Sequence, residues 1–305
     1  MTITNFIRPK PLKQNGTVGI LSTARAIMPN ELAQATELLN QRQINVVLGK
    51  SIGVRENQLA GSDALRLADF QEMLNNDAID AIICARGGYG TARFLDKVDW
   101  TKFRSNPKWI LGYSDITALH NTISQLGIMS LHGIMPVNVT DTESNQAFNA
   151  AIDIMMGQNQ FEIQLPEHKL NTPAPTHGIL TGGNLSMLYS LRATPYDIEP
   201  SEKILFIEDL DEYLYHIDRM MVNLRLGGIF SKISGLVVGG MTDMNDNSIP
   251  FGQEGEEIIK SQVPSDLPLF FGASFGHMKK NLPMACGAMA KISKKGNNYS
   301  LTYSL

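Results

Sequence analysis

Trp109-Ile110-Leu111-Gly112-Tyr113-Ser114-Asp115-Ile116-Thr117 runs from a short apolar strand through a tight corner into a stretch, Asp115 to Gln125, that reads as a helix. A serine at such a strand-to-helix corner projects its hydroxyl from the sheet edge, while the first free N–H groups of the helix point at the atoms it would attack. Nucleophile and oxyanion donor would then come from one corner. The plainer reading is that Ser114 only caps the helix.

The segments around this corner repeat its pattern. Strand and helix signals alternate through Thr17–Leu21, Glu31–Arg42, Asn45–Leu48, Asp63–Leu74, Ala78–Ala85, Thr91–Leu95 and Lys108–Gly112. Short apolar strands separated by amphipathic helices predict an α/β fold with a parallel sheet, which binds ligands beyond the carboxyl ends of its strands. Ser114 sits at such an end. Asn30 and Asp63 read as helix N-caps, and Pro29 favours an extended entry to the second element.

From about Asp141 to Thr176 the periodicity weakens and Pro166, Pro173 and Pro175 follow closely. This divides the chain into an N-terminal domain over 1–150, a linker region over 151–176 and a C-terminal domain over 177–305. The second domain reads as smaller and mixed: Gly178–Thr181, strand Lys203–Ile207, helix His216–Leu226, and strands Gly235–Val238 and Pro268–Gly272. Met284–Ile292 and Tyr299–Tyr303 read as a closing hairpin. A chain of 305 residues suits two such lobes.

Composition narrows the function classes. Hydrophobic residues at 43%, charged residues at 18% and a net charge of -4 describe a globular protein with no electrostatic bias toward nucleic acid. Met1–Gly16 holds Arg8, Lys10 and Lys13 but no apolar segment of a leader, and no run approaches a membrane span, so a cytoplasmic location is expected. Cys84 and Cys286 lie in apolar stretches, as reduced core cysteines do.

An activated serine needs a base and a third group to orient that base. Of the six histidines, His277 is best placed, in the turn Phe275-Gly276-His277 beyond a strand end. His132, in Leu131-His132-Gly133, is the runner-up; His120 lies on a helix, His168 in a polar loop, and His216 heads a helix. Glu208, ending Ile204-Leu205-Phe206-Ile207, is the natural orienting acid, because a rigid strand end tolerates little play. The acids that follow it, Asp209, Asp211 and Glu212, suit a helix N-terminus better, and the group lacks the alternating spacing of a calcium loop. The loop Ala85-Arg86-Gly87-Gly88-Tyr89-Gly90 follows a strand and can cradle an anion or an oxyanion, although it is neither a Walker A loop nor a Rossmann fingerprint.

Taken in order, Ala-Arg-Gly-Gly-Tyr-Gly at 85–90, Gly-Tyr-Ser-Asp-Ile-Thr at 112–117, Leu-His-Gly at 131–133, Gly-Gly-Asn-Leu at 182–185, Ile-Glu-Asp at 207–209 and Phe-Gly-His at 275–277 resemble the LD-carboxypeptidase family of serine peptidases. The resemblance spans nearly the whole chain. It implies a flavodoxin-like N-terminal domain with a smaller β-rich C-terminal domain, a cytoplasmic homodimer, and no cofactor or metal. It further implies Ser114 as nucleophile, His277 as base and Glu208 as its orienting acid, acting on the L,D-amide bond before a terminal D-alanine in murein tetrapeptide. On that mechanism the Asp115 N–H and the Gly87-Gly88 loop, Gly88 in particular, hold the oxyanion. Arg86 is the candidate for the terminal carboxylate, and Tyr89 and Asn184 for further peptide contacts.

Relatives resembling the microcin C immunity carboxypeptidases act on an aminoacyl-nucleotide, but they carry extra loop sequence that this chain, with only Trp100 and Trp109, leaves little room for. A non-catalytic protein that binds a peptide or sugar phosphate, with Ser114 as a cap, and a metal-assisted amidase using the acids at 208–212 are the other readings. Cleavage assays and chelator sensitivity separate them.

Overall fold

A computed structural model of the protein describes residues 5–305; residues 1–4 of the basic N-terminal stretch lie outside it. The first half runs β1 (Thr17–Leu21), α1 (Ala33–Gln41), β2 (Asn45–Leu48), α2 (Asp63–Asn75), β3 (Ala81–Cys84), α3 (Thr101–Ser105), β4 (Trp109–Gly112), α4 (Thr117–Gln125), β5 (Ser130–His132) and α5 (Thr142–Met155). It continues through β6 (Gln160–Leu165), β7 (Thr176–Asn184), α6 (Leu185–Ser190), β8 (Lys203–Leu210), α7 (Leu214–Leu226), β9 (Gly235–Thr242) and α8 (Gly255–Gln262). The chain closes with β10 (Leu269–Phe270), β11 (Met284–Cys286), β12 (Met289–Lys295) and β13 (Asn298–Ser304).

Two sheets result. The first has the order β11-β5-β4-β3-β1-β2, in which β1 to β5 are parallel and follow the flavodoxin-like sequence 2-1-3-4-5. The second has the order β10-β9-β8-β7-β12-β13-β6, parallel from β7 to β10 and antiparallel beyond. The fold is thus the two-domain α/β arrangement expected.

Strand alternation explains how the sheets meet. Ala81 and Ile83 of β3 and Trp109 and Leu111 of β4 fall in one buried cluster, whereas Ile82, Cys84 and Ile110 fall in another on the opposite face. In the second sheet Ile204 and Phe206 of β8 and Val237 of β9 join that same first cluster, while Leu205, Ile207, Leu236 and Val238 pack in a third with α7 and α8. One apolar layer therefore belongs to both sheets; the central strands β3, β4, β8 and β9 are covered on both faces, whereas β2, β6 and β12 turn residues to solvent. Because period 2 governs both, a slip of one residue in β8 would exchange Phe206 with Leu205 and Ile207 between layers.

Several expectations need correction. Asn30 lies inside a 3-10 turn, Pro29–Leu32, capped at Met28, and the N-cap of α2 is Ser62, whose side chain accepts from the Leu65 N–H; Asp63 instead pairs with Arg66 and Arg93. Thr91–Leu95 forms short 3-10 turns. The stretch read as a linker holds the end of α5 and all of β6, which pairs with β13. Met284–Ile292 is not one strand: β11 crosses to the first sheet, antiparallel to β5, and only β12 forms the hairpin with β13. Apolar patterning alone did not distinguish these two destinations. No helix among the described residues is long and apolar enough to cross a membrane.

Candidate active site

The loops after β1, β3 and β4 meet the ends of β7 and β8 and the turn at residues 275–277 around a cleft of about 730 Å³. Arg25, Arg86, Gly87, Gly88, Tyr89, Ser114, Asn184, Asp209, Glu212 and His277 are among the residues that line it.

Ser114 is the first residue of a 3-10 turn, Ser114–Ile116, that leads into α4, and its φ is 63°. A serine in the left-handed region costs on the order of 1–3 kcal/mol unless its surroundings hold it there. Asp115 supplies that hold: fully buried, it accepts the Thr91 N–H at 2.8 Å and so ties the corner to the loop after β3. Thr91 Oγ1 donates in turn to Thr23 Oγ1 at 2.8 Å, and the buried Arg66 donates to the carbonyls of Thr23 and Gly90. Burial raises the Asp115 carboxyl above the usual range, while the Thr91 and Gly90 contacts and the charge of Arg66 lower it. Beneath the strand end, His120 bridges Ser130 Oγ and the Gly112 carbonyl, each at 2.8 Å. Burial drives its pKa down to about 3, which leaves it neutral.

Gly87 packs against Ser114: a Cβ there would lie 3.3 Å from Ser114 Oγ. Gly88, with φ 109°, lets the loop pass under the Arg25 side chain, whose Cδ would be 2.5 Å from an added Cβ. Among the described residues the N–H groups of Gly87, Gly88 and Asp115 donate to no other group. They remain available beside Ser114.

His277 is held from the second sheet. Its Nδ1 lies 2.6 Å from Glu208 Oε2, its own N–H donates to the same oxygen at 3.2 Å, and its carbonyl accepts from Thr242. Burial pulls the imidazole pKa down, but the Glu208 charge and hydrogen bond outweigh it and raise the value above 6.5. Tyr113 packs on the ring at 4.7 Å. Asn281, fully buried, accepts the Gly276 N–H and fixes the turn. Gly276, at φ 94°, permits the approach: a Cβ would lie 2.5 Å from that of Glu208.

Glu208 does not end its strand as expected, since β8 runs to Leu210. The pairing with β9 shifts register between Ile207 and Asp209. By alternation Glu208 follows Ile204 and Phe206 into the layer between the sheets, and Asp209 turns the other way. Burial pushes the Glu208 carboxyl up, yet the charge of His277 and contacts with His132 bring it down to about 2. Asp209 behaves oppositely: burial and the neighbouring Glu208 charge raise it to about 6. It accepts from Asn184 Nδ2, Ser186 N and Ser186 Oγ, each at 2.8 Å. The other acids of 208–212 are engaged away from His277: Asp209 and Glu212 share Ser186 Oγ, Asp211 accepts from Asn245, and Glu212 contacts His216 at 2.5 Å.

Ser114, His277 and the loop at 85–90 therefore face one cleft, with Glu208 behind His277. Among the described residues no hydrogen bond joins Ser114 Oγ to His277, a contact that unliganded sites often leave long. Asn184 lines the cleft, but its amide is engaged in capping α6 and holding Asp209. Arg86 Nη1 donates to the Ala26 carbonyl at 3.2 Å and lies 4.0 Å from Glu31. Tyr89 is half exposed at the rim. Sequence reasoning missed Arg25, whose exposed guanidinium lines the cleft with no acceptor among the described residues. Its place just beyond β1, a strand end at the point where the sheet order reverses, was the available signal. It also missed the buried supports Arg66 and Asn281, which carry no local motif.

The LD-carboxypeptidase N-terminal domain matches residues 18–133, and the LD-carboxypeptidase C-terminal domain matches residues 177–292. This chain belongs to the LD-carboxypeptidase family. It is 34% identical over 296 residues to a probable murein peptide carboxypeptidase of Bacillus subtilis, covering 94% of this chain and 91% of that protein. With the murein tetrapeptide carboxypeptidase of Pseudomonas aeruginosa it shares 25% identity over 91% of this chain and 93% of the relative. The structure of muramoyltetrapeptide carboxypeptidase from Oxalobacter formigenes superposes with a TM-score of 0.83 at 25% identity, covering 95% of this chain and 99% of that one. The microcin C7 self immunity protein shares the fold at a TM-score of 0.85 and 21% identity, over 96% and 98% of the two chains.

Proposed function

We propose that this LD-carboxypeptidase family member is a serine hydrolase that cleaves the L,D-amide bond before the terminal D-alanine of murein tetrapeptide. The observation that carries the reading is Ser114 at φ 63° on a strand-to-helix corner, facing the cleft that His277 lines with Glu208 bonded behind it.

His277 Nε2 takes the Ser114 proton as Oγ attacks the scissile carbonyl. Glu208, bonded to Nδ1, fixes the ring orientation and stabilises the imidazolium. The Asp115 N–H and one from the Gly87-Gly88 loop receive the oxyanion, each donor contributing roughly 3 kcal/mol. The proton passes to the amine of D-alanine, which leaves, and water then attacks the acyl-serine by the reverse route. Arg86 and Arg25 form the cationic side of the cleft and take the terminal carboxylate; Tyr89 and the Asn184 region contact the peptide.

Relatives named for murein peptides support this substrate, and the neighbouring microcin C7 self immunity protein keeps an aminoacyl-nucleotide as the alternative. Neither tryptophan lines the cleft: Trp109 is fully buried, and Trp100 packs on Phe70 and Phe103. The protein is proposed to work as a cytoplasmic homodimer that recycles cell-wall peptides, with sedimentation as the check on assembly.

The decisive experiment measures D-alanine released from murein tetrapeptide, from pentapeptide ending in D-Ala-D-Ala, and from C-terminally amidated tetrapeptide, with Ser114→Ala as control. Tetrapeptide alone should be cleaved well. In the other two an amide occupies the carboxylate position or the scissile bond joins two D-centres, so Arg25 and Arg86 lose the charge they are proposed to meet. Equal rates on all three, or undiminished turnover by Ser114→Ala, would overturn the proposal.

A further inference from the structure

Behind Glu208, on the side away from His277, stands a histidine that the reaction above does not use. His132 ends β5 in the Leu131-His132-Gly133 segment, and its side chain is fully buried. Phe206 meets its ring edge-on at 5.3 Å, Tyr113 at 5.9 Å and Phe275 at 6.4 Å, so three of its sides are aromatic. His132 Nε2 lies 3.7 Å from Glu208 Oε1, itself fully buried. Neither ring nitrogen of His132 nor Glu208 Oε1 has a hydrogen-bond partner among the described residues, whereas Oε2 is used twice by His277. The other nearby imidazole, His120 at 6.1 Å, is committed to Ser130 and Gly112.

We infer that His132 is a positioning residue for the active site, carrying its ring proton on Nε2 and presenting it to Glu208 Oε1, so that the carboxylate is gripped from both sides. Stranding one oxygen of a buried carboxylate is costly, and His132 Nε2 stands 3.7 Å from the unpartnered one. The opposite tautomer is worse on two counts. It would point a lone pair at Oε1 and leave the Nδ1–H among aromatic rings. At 3.7 Å the contact is longer than a hydrogen bond, and a small tilt of either side chain closes it. The parity of β8 fits the same role, because it sends Glu208 into the layer between the sheets, where the end of β5 is the neighbouring wall. A carboxylate anchored at both oxygens cannot swing, so the Nδ1 bond that orients His277 keeps its direction through turnover.

The kinetic part rests on the serine-hydrolase reading; the placement of the proton does not. Ring 15N resonances of histidine-labelled wild-type protein, with the His132 signal assigned by its loss in His132→Gln, should show Nε2 protonated and Nδ1 bare. Glutamine can offer an amide N–H near the Nε2 position, so His132→Gln should keep kcat within about threefold, while His132→Phe should lose about 10- to 100-fold in kcat at unchanged KM. A ring protonated on Nδ1 would overturn the inference, as would a fully active His132→Phe or a His132→Gln as impaired as His132→Phe. Should His132→Phe fail to fold, the wild-type spectrum and the glutamine variant decide. Wild-type protein that releases no D-alanine would sink the carboxypeptidase reading and leave the proton assignment standing on the spectrum.

Discussion

Replacing Glu208 by glutamine removes one charge from the dry layer behind His277 and changes little in shape. The surroundings bring this carboxyl from 4.5 to about 2 against the opposing effect of burial. At about 1.4 kcal/mol per tenfold change in proton affinity, they favour the ionised form by on the order of 3 kcal/mol. The largest favourable contribution is the charge of His277. That same pairing is what the imidazolium gains when it takes the Ser114 proton, so its loss should slow kcat by roughly 10²-fold. If the glutamine amide turns its N–H toward Nδ1, the ring is forced into the wrong tautomer and the loss grows toward about 10⁴-fold. KM should stay near the wild-type value, because Glu208 is fully buried and does not line the cleft. Initial rates of D-alanine release from tetrapeptide, taken across pH 6–9 beside Ser114→Ala as the floor, provide the measurement. A variant within fivefold of wild-type kcat throughout that range would refute the role assigned to Glu208.

Three further outcomes follow from the geometry. His277 must be neutral to accept a proton, and its pKa lies above 6.5, so kcat/KM should fall as pH drops through an acid limb above 6.5; a limb at or below that value counts against Glu208 acting on His277. Arg25→Gln and Arg86→Gln should each raise KM for tetrapeptide, and less so for its C-terminal amide, with the larger effect at Arg25 because Arg86 is partly committed to Ala26 and Glu31; unchanged KM in both would remove the cationic wall from substrate binding. Gly276→Ala should cut kcat at least tenfold with the secondary structure intact, since the new Cβ would sit 2.5 Å from that of Glu208 at a φ of 94°, and circular dichroism with turnover checks it.

The parallel half of the fold was legible because its strands are short apolar runs with helices between them, a pattern that few other folds satisfy. Residues Ser114, Glu208 and His277 could be singled out for a similar reason: each lies at or near the carboxyl end of a strand, where rigid backbone gives way to an exposed loop. The destination of β11 was not legible. Met284-Ala285-Cys286 and Met289-Ala290 look alike in composition, and only the turn at Gly287, with φ 89°, sends one to the first sheet and leaves the other in the second. Helix caps failed for two reasons: Asn30 falls inside a 3-10 turn that precedes α1, and Ser62, one residue before Asp63, takes the cap of α2. Arg66 was invisible because the Thr23 and Gly90 carbonyls it holds lie far away in sequence, and Asn281 because its bond to the Gly276 N–H within one turn belongs to no recognisable motif.

The position of the site follows from the layer that the two sheets share. Ser114 comes from the first sheet and Glu208 from the second, so their relation is only as fixed as the packing between the sheets. That packing is continuous: Trp109 and Leu111 on one side and Ile204 and Phe206 on the other belong to a single buried cluster, and β11 carries chain from the C-terminal half into the first sheet. Large side chains in such a layer sit in narrow wells, and shifting one sheet against the other would open cavities at many of them together. The same rigidity lets Ser114 remain in the left-handed region, because Asp115, Thr91 and Arg66 tie its corner to loops that the layer already holds in place. Glu208 gains from it as well. A carboxylate facing an apolar layer would otherwise take up a proton, and it stays ionised because the layer brings His277 and His132 to either side of it.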